Sequence, residues 1–390
     1  MTARADTGRS GPLVGFRVVE SAGFITGPYC GQFLADFGAD VIKVEPPDGG
    51  DPFRSFAGGL YSPQFTAYNR NKRSLALDLR SERGRLIMRR LLERADVFLE
   101  NYRPGVMERL GFGYETVRSW NPRMIYCSIS GMGQSGPYAH RPAYDTVGQA
   151  LSGMLSQLLE KDRPRIVGPS FSDAITGMTA ATMVLSALLA REKTGEGQRV
   201  DVSMLQATTA FLGCEAAFHF QLGEPGGRRY RPSLSQAYAF TCQDEKIVAI
   251  HLSSPTKFWE ALLRSVNRPD LLEDERFATR PDRIKRMDEL QEILAEEFRK
   301  KPSAEWLKIL EANDVPHAPV YALEEVFKDP QARHLGLELR LKHPTQGEVG
   351  TVAPPVHFSG TPWGNLRAPP ELGEHNEEIL RELGVGEGFE

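Results

Sequence analysis

Arg17-Val-Val-Glu-Ser-Ala-Gly-Phe-Ile-Thr-Gly-Pro-Tyr-Cys-Gly-Gln-Phe-Leu-Ala-Asp-Phe-Gly-Ala-Asp-Val-Ile-Lys-Val-Glu45 decides the fold. Residues 17–21 and 40–45 are short, mostly apolar runs that read as buried strands. Between them, Gly27-Pro28 breaks the chain, and proline suits the first turn of a helix. That helix runs to about Phe37, with Gly38 as its stop. Pro46-Pro47 ends the second strand, and residues 74–79, 96–100 and 124–130 are further strand-like runs. Residues 82–94 carry Leu86, Ile87, Leu91 and Leu92 on one helical face, with arginines opposite. A long helix is expected over residues 174–191, closed by Lys193-Thr-Gly195. Repeated β-α-β units imply a mostly parallel α/β sheet covered on both faces, and such sheets bind ligands beyond the carboxyl ends of their strands.

At 390 residues the chain exceeds one hydrophobic core, so two domains are expected. After about residue 205 the character changes. Gly223-Glu-Pro-Gly-Gly-Arg-Arg229 reads as a junction, residues 237–242 and 246–252 as a β-ribbon, and residues 255–312 as charge-rich helices. This second region is a smaller α+β domain. Residues 347–370, rich in Pro and Gly, resemble a linker, and residues 376–383 form a last short helix.

Hydrophobic residues make up 41% and charged residues 25%, the usual mix of a folded chain. The net charge of −4 gives no electrostatic footprint for nucleic acid. Cys30, Cys127, Cys214 and Cys242 have neither disulfide-framework nor zinc-site spacing, which fits a reducing compartment. Residues 1–10 lack the apolar core of a secretory signal. The longest apolar run, residues 180–190, is about half of what a bilayer span needs, so no membrane partner and a cytoplasmic location are expected.

The common catalytic signatures HExxH, GxSxG and GxxxxGK[ST] are absent. Gly131-Met-Gly-Gln-Ser-Gly136 matches GxGxxG after a strand, but Pro137 follows and the next helix begins only near Asp145. A dinucleotide fingerprint needs its last glycine inside the helix, so this loop reads instead as part of an active-site edge. Asn69-Arg-Asn-Lys-Arg73 packs three cations into five positions, and Arg103 and Arg109 follow another strand. Each is ordinary surface charge taken alone; together they are candidates for holding phosphates. Asp173 precedes the long helix, where aspartate is a preferred N-cap and Ser172 an alternative one. A carboxylate there is held ionised by the helix dipole, and the free first-turn amides suit an oxyanion.

In these blocks the chain resembles the class III coenzyme A-transferase (CaiB/BaiF) family. The pattern runs through Gly27-Pro28, residues 34–45, Asn71-Lys-Arg-Ser74 and Glu100-Asn-Tyr-Arg-Pro-Gly105. It continues in residues 126–131, Arg141-Pro-Ala-Tyr-Asp145, Gly195-Glu-Gly-Gln-Arg-Val-Asp-Val-Ser203, residues 315–320 and Leu372-Gly-Glu-His375. The resemblance implies a Rossmann-like large domain over residues 1–205 and a small α+β domain over 231–325. Long linkers over 206–230 and 326–370 would join them, residues 371–390 would return to the large domain, and two subunits would interlock as a homodimer. It also implies Asp173 as nucleophile, with coenzyme A contacts at Ile25, Thr26, Leu77, Leu79, Arg80, Asn101, Tyr102, Arg103, Arg109, Arg141 and Tyr144, and no metal. The sequence departs from formyl-CoA transferases of the family at Pro46, where they carry a nucleotide-contacting arginine, and at Gly23, where they carry a histidine. Residues 231–238 stand where those enzymes have a glycine-rich flap.

The implied reaction moves coenzyme A from an acyl-CoA donor to a carboxylic acid acceptor through aspartyl anhydride and aspartyl-CoA thioester intermediates. An α-methylacyl-CoA racemase of the same fold is the alternative. Those enzymes place a histidine just before the aspartate aligned with Asp145; Tyr144 stands there instead, and a phenol of pKa about 10 is a poor base at neutral pH. From other classes, a nucleotide-dependent oxidoreductase and a non-catalytic coenzyme A-binding protein stay open. Arg228, Arg229 and Arg231 are candidates for the second carboxylate of a dicarboxylic substrate, and Tyr238 and His251 for the acyl pocket.

Overall fold

In the computed structural model, which describes residues 8–223, 226–253 and 255–385, the two opening strands form with the bounds their apolar runs predict. Arg17–Ser21 (β1) and Asp40–Glu45 (β2) pair in parallel. Arg73–Ala76 (β3), Val97–Glu100 (β4), Ile125–Ser130 (β5) and Gln198–Ser203 (β6) complete a six-stranded sheet of order β3-β2-β1-β4-β5-β6. All of its pairings are parallel. The strand order reverses between β1 and β4, which opens a crevice beyond their carboxyl ends. Residues 1–7 and the middle of the 223–229 junction, both read from sequence, lie outside the described residues.

The chain divides into two compact units. The first comprises residues 1–154, 168–212 and 333–390; the second comprises 155–167 and 213–332. In the first, Thr26–Asp36 (α1) follows β1, Asp145–Leu151 (α2) follows the Gly-rich loop, and Phe171–Thr194 (α3) leads into β6 and then Met204–Phe211 (α4). One face of the sheet, including Val19, Ile42, Phe98 and Tyr126, packs on Ile87, Met88, Leu91 and Leu92 of the helix Glu82–Leu92. Ile379 and Leu383 at the carboxyl terminus join the same cluster.

α1 and α3 pack closely. A Cβ on Gly177 would sit 2.9 Å from the Thr26 carbonyl oxygen and 3.1 Å from Tyr29 Cβ, so glycine is needed where the helices meet. At 24 residues, α3 extends well beyond the apolar run read from sequence, and it is long and apolar enough to cross a bilayer. Its Ile175, Ala180, Val184 and Leu188 are instead buried in this unit, as in the core helix of a folded domain. Gly195 ends it at φ 78°, the left-handed stop expected there.

The second unit holds a three-stranded antiparallel sheet of Ala237–Thr241, Ile247–His251 and His317–Pro319. Phe240 stacks on Phe298 with ring centroids 4.4 Å apart, and Phe298 meets Trp306 at 4.6 Å. Within the stretch read as a connector after residue 326, Glu338–His343 and Gly347–Val352 form an antiparallel hairpin in the first unit. Arg70 anchors it by donating to Thr351 Oγ1 at 2.9 Å and to the Val352 carbonyl at 2.7 Å.

A fully buried ionic network ties the sheet together. Lys43 on β2 lies 2.9 Å from Glu20 on β1 and 2.9 Å from Asp51, while Lys72 reaches the other Glu20 oxygen at 2.8 Å. Burial opposes the Lys43 charge, but Asp51 and Glu20 outweigh it and raise its pKa above the ordinary lysine value. Removing one member of a buried pair leaves an uncompensated charge. Lys43→Met is therefore expected to lower unfolding stability by about 3–5 kcal/mol in urea titrations.

Candidate active site

The crevice at the strand-order reversal is a cleft of ≈ 250 Å³. It is floored by the segments that leave β1, β4 and β5, and Asp173 opens into it from the first turn of α3. Of the residues named from sequence, Ile25, Thr26, Asn101, Tyr102, Arg103 and Arg141 line this cleft, as do Tyr144 and Asp173. Leu77, Leu79, Arg80 and Arg109 do not. Leu77 is buried just past β3, Leu79 packs against the core cluster of that face, and Arg80 pairs with Asp78 at 3.0 Å on the surface. Arg109 is exposed on the helix Val106–Leu110.

Asn101 holds the first cleft segment in place. Its Oδ1 accepts from the Gly23 amide at 3.0 Å, and its Nδ2 donates to the Gly23 carbonyl at 2.8 Å and to Thr26 Oγ1 at 3.0 Å. Its amide is thus spent on the loop rather than left for a ligand. Thr26 Oγ1, serving there as acceptor, keeps its hydroxyl hydrogen to donate. Phe24 stands between, at φ 63°, a left-handed conformation unusual for a bulky residue. Its amide donates to Asp51 Oδ1 at 3.1 Å, and its ring meets Tyr144 edge-on at 5.6 Å.

Asp173 is the third residue of α3, so it does not cap the helix as its spacing suggests. Ser172 does not cap it either; its hydroxyl is buried against Thr208 Oγ1 at 2.7 Å. The expectation of free first-turn amides is met only in part. The Phe171 amide donates to the Pro169 carbonyl at 2.8 Å, and the Asp173 amide to Asp145 Oδ1 at 3.2 Å. The other Asp145 oxygen accepts from Gln149 Nε2 at 2.6 Å. Among the described residues no donor meets the Asp173 carboxylate itself.

Burial and then the nearby Asp145 charge push Asp173 up to about 7, rather than the dipole holding it ionised. The site therefore presents a bare carboxylate of raised basicity, which suits a nucleophile or a general base. Phe24 and Met204 line the cleft without having been candidates from sequence, and Asp145, seen there only as part of a family block, holds the Asp173 amide. Asp145 carried a signal, since it is an acid at the first turn of a helix that follows a Gly-rich loop.

The cation cluster Arg70, Lys72 and Arg73 is unavailable to a phosphate. Arg70 pairs with Asp36 at 2.6 Å, Lys72 with Glu20, and Arg73 with Asp40 at 2.6 Å, all buried. Arg103 and Arg141 face the cleft and remain exposed, and Arg141 stacks over the Tyr138 ring at 3.7 Å. The Gly131–Gly136 loop does not open a helix. Gly131 is required because a Cβ there would lie 2.3 Å from Ala143 Cβ. In the second unit, Arg228 pairs with Glu160 and Arg229 with Asp288, while Arg231 donates to Ser235 Oγ and has no acid beside it. Tyr238 lies in that unit's core, and His251 is exposed.

A family model for CoA-transferase family III matches residues 13–376. The chain is 36% identical over 391 residues to the succinate–glutarate CoA-transferase of Agrobacterium fabrum, covering 96% of each protein. It is 34% identical over 379 residues to the succinyl-CoA:glutarate CoA-transferase of Mus musculus, covering 95% of this chain and 86% of that one. Among solved structures, a CaiB/BaiF family protein from Brucella suis superposes with a TM-score of 0.85 at 34% identity, covering 96% of this chain and 100% of that one.

Because folding raises the Asp173 pKa, the folded state binds that proton more tightly than the unfolded chain does. The proton's contribution to stability is complete below the unfolded value near 4 and is lost as pH rises through about 7. Asp173→Asn cannot ionise, so its melting temperature is expected to exceed the parent's at pH 8 and to converge with it near pH 4. Thermal unfolding of ligand-free protein across that range measures the difference.

Proposed function

The chain belongs to CoA-transferase family III and is an enzyme of that class, and from that premise we propose that Asp173 carries coenzyme A between two carboxylic acids as its covalent nucleophile. The observation that carries this reading is the bare, basic Asp173 carboxylate at the cleft. In the first step a carboxylate oxygen attacks the thioester carbonyl of the acyl-CoA donor. The C–S bond breaks, coenzyme A leaves as thiolate, and a mixed anhydride forms. The thiolate then attacks the Asp173 carbonyl, releasing the donor acid and leaving an aspartyl-CoA thioester. The acceptor carboxylate attacks that thioester, and the thiolate closes the cycle on the acceptor's carbonyl, restoring Asp173.

The raised pKa bears directly on the energetics. A carboxylate of pKa about 4 displacing a thiolate of pKa about 8.5 faces a gap on the order of 6 kcal/mol. With Asp173 at about 7 the gap shrinks to roughly 1.5 units, on the order of 2 kcal/mol. Positioning and exclusion of water are left to supply the remainder. Thr26, with its hydroxyl hydrogen uncommitted, is the donor in the cleft suited to the oxyanion. Arg103 and Arg141 supply charge for the coenzyme's phosphates. The names of the two CoA-transferase relatives support short dicarboxylic acids, succinate and glutarate among them, as the exchanged substrates.

The apolar residues that α3 leaves exposed, Met178, Met183 and Leu189, support assembly as a homodimer. Light scattering after size exclusion is expected to give twice the 43.4 kDa chain mass; a monomer at micromolar concentration removes this part of the reading.

The deciding experiment incubates the protein with succinyl-CoA and hydroxylamine, then maps peptides by mass spectrometry. A hydroxamate on Asp173 is expected, and Asp173→Ala is expected to bind coenzyme A without turnover. Full activity in that variant would eliminate the covalent route.

A further inference from the structure

Glu100 closes β4, and its side chain is buried beside the cleft, where the proposed chemistry makes no use of it. Its Oε2 accepts from the Tyr102 amide at 2.8 Å, and its Oε1 accepts from Ser128 Oγ on β5. Ser128 Oγ in turn accepts from Gln134 Nε2 at 2.7 Å. Gln134 belongs to the Gly131–Gly136 loop, whose dinucleotide reading has already failed. Gly133 and Gly136 hold φ 99° and 93° there, so the loop takes a shape closed to other residues. The Gly133 amide donates to Ser130 Oγ at 3.0 Å, and the Gly131 carbonyl accepts from the Leu205 amide at 3.1 Å.

Gly131 is also the residue against which Ala143 packs too closely for any Cβ. Ala143 sits between Arg141 and Tyr144, both at the cleft, and Asp145 follows with the Asp173 amide in its grasp. A continuous set of contacts thus leads from the end of β4 to the nucleophile's neighbour. We infer that Glu100 and Ser128 are positioning residues that hold the Gly131–Gly136 loop, through Gln134, so that the 141–144 segment faces the coenzyme A cleft. The cleft's ligand rests on the function proposed above.

The relay tolerates a proton. Burial pushes Glu100 up to about 7 against the lowering effect of the Ser128 and Tyr102 bonds, with Glu108 adding to the rise and Arg199 opposing it. Ionised, Glu100 accepts from Ser128; protonated, it donates to Ser128 instead, and the Tyr102 bond persists in both states. An amide does the same, accepting from Tyr102 and donating to Ser128. Glu100→Gln is therefore a conservative variant, whereas Glu100→Ala severs both bonds.

Hydrogen exchange read by mass spectrometry tests the relay on the ligand-free chain, independently of catalysis. Gln134→Ala, altering a partly exposed loop residue, is expected to speed exchange in peptides covering residues 131–145 about fivefold. Glu100→Ala is expected to do so at least as strongly, and Glu100→Gln to restore parental exchange. Calorimetric titration with coenzyme A is expected to show affinity about fivefold weaker in Gln134→Ala and near parental in Glu100→Gln. Unchanged exchange in Gln134→Ala overturns the inference, as does faster exchange with unaltered coenzyme A affinity. A parent protein that binds no coenzyme A would remove the functional reading of the cleft, and the exchange pattern would still decide the relay.

Discussion

A single buried ammonium, Lys43, conditions both the sheet and the site built on it. It sits between Glu20 and Asp51 with no exposure to solvent, in a region where an unpaired charge is not tolerated. Glu20 also takes Lys72 at the threshold of β3, so β1, β2 and β3 are joined by side chains as well as by their ladders. A Cβ on Gly31 would fall 1.8 Å from Glu20 Oε2, which shows how little room α1 leaves the network. A buried network of this kind adds little net stability over an apolar core. Its return is conformational. Asp51, held by Lys43, presents Oδ1 to the amides of Phe24 and Phe53. That contact fixes Phe24 in the left-handed region and sets the path of the segment that floors the cleft.

The site repeats this logic with opposite consequences. Asp40 and Glu45 are buried among arginines, which outweigh burial and hold both carboxyls below their usual range. Glu100, buried, and Asp173, half-buried, have no cation at hydrogen-bond distance and are both lifted to about 7. Within one unit the same residue types are thus sorted into structural anions and reactive or proton-tolerant ones. For these four carboxyls the difference is a cation at hydrogen-bond distance, although burial still lifts Asp36 above its usual range with Arg70 at 2.6 Å.

The sequence carried the sheet because short apolar runs between Gly and Pro punctuation report local preference. β1 and β2 form with the bounds read for them, and the family blocks located Asp173 and most of the cleft. Long-range pairing left no such trace. Arg70, Lys72 and Arg73 read as a free cationic cluster because their acids stand far off in the chain, Asp36 and Asp40 among them. The state of Asp173 was misjudged for the same reason. Helix-terminus rules describe an isolated helix, whereas Asp145 arrives from another helix, takes the amide and adds its charge. The hairpin over residues 338–352 stands in the stretch read as a linker although Leu339 and Leu341 alternate with charged residues; its second strand, Gly347–Val352, carries two glycines and weakens the pattern.

The two compact units divide the chain unevenly with respect to the cleft. Every residue lining it, from Phe24 to Met204, belongs to the first unit, while residues 213–332 are an excursion between α4 and the returning carboxyl-terminal portion. Mutational drift in that excursion replaces no cleft-lining residue and breaks no bond in the chain from Lys43 to Phe24. The cleft lining is thereby carried by the segments of one unit. A substitution in the excursion therefore leaves every side chain of the cleft lining as it is.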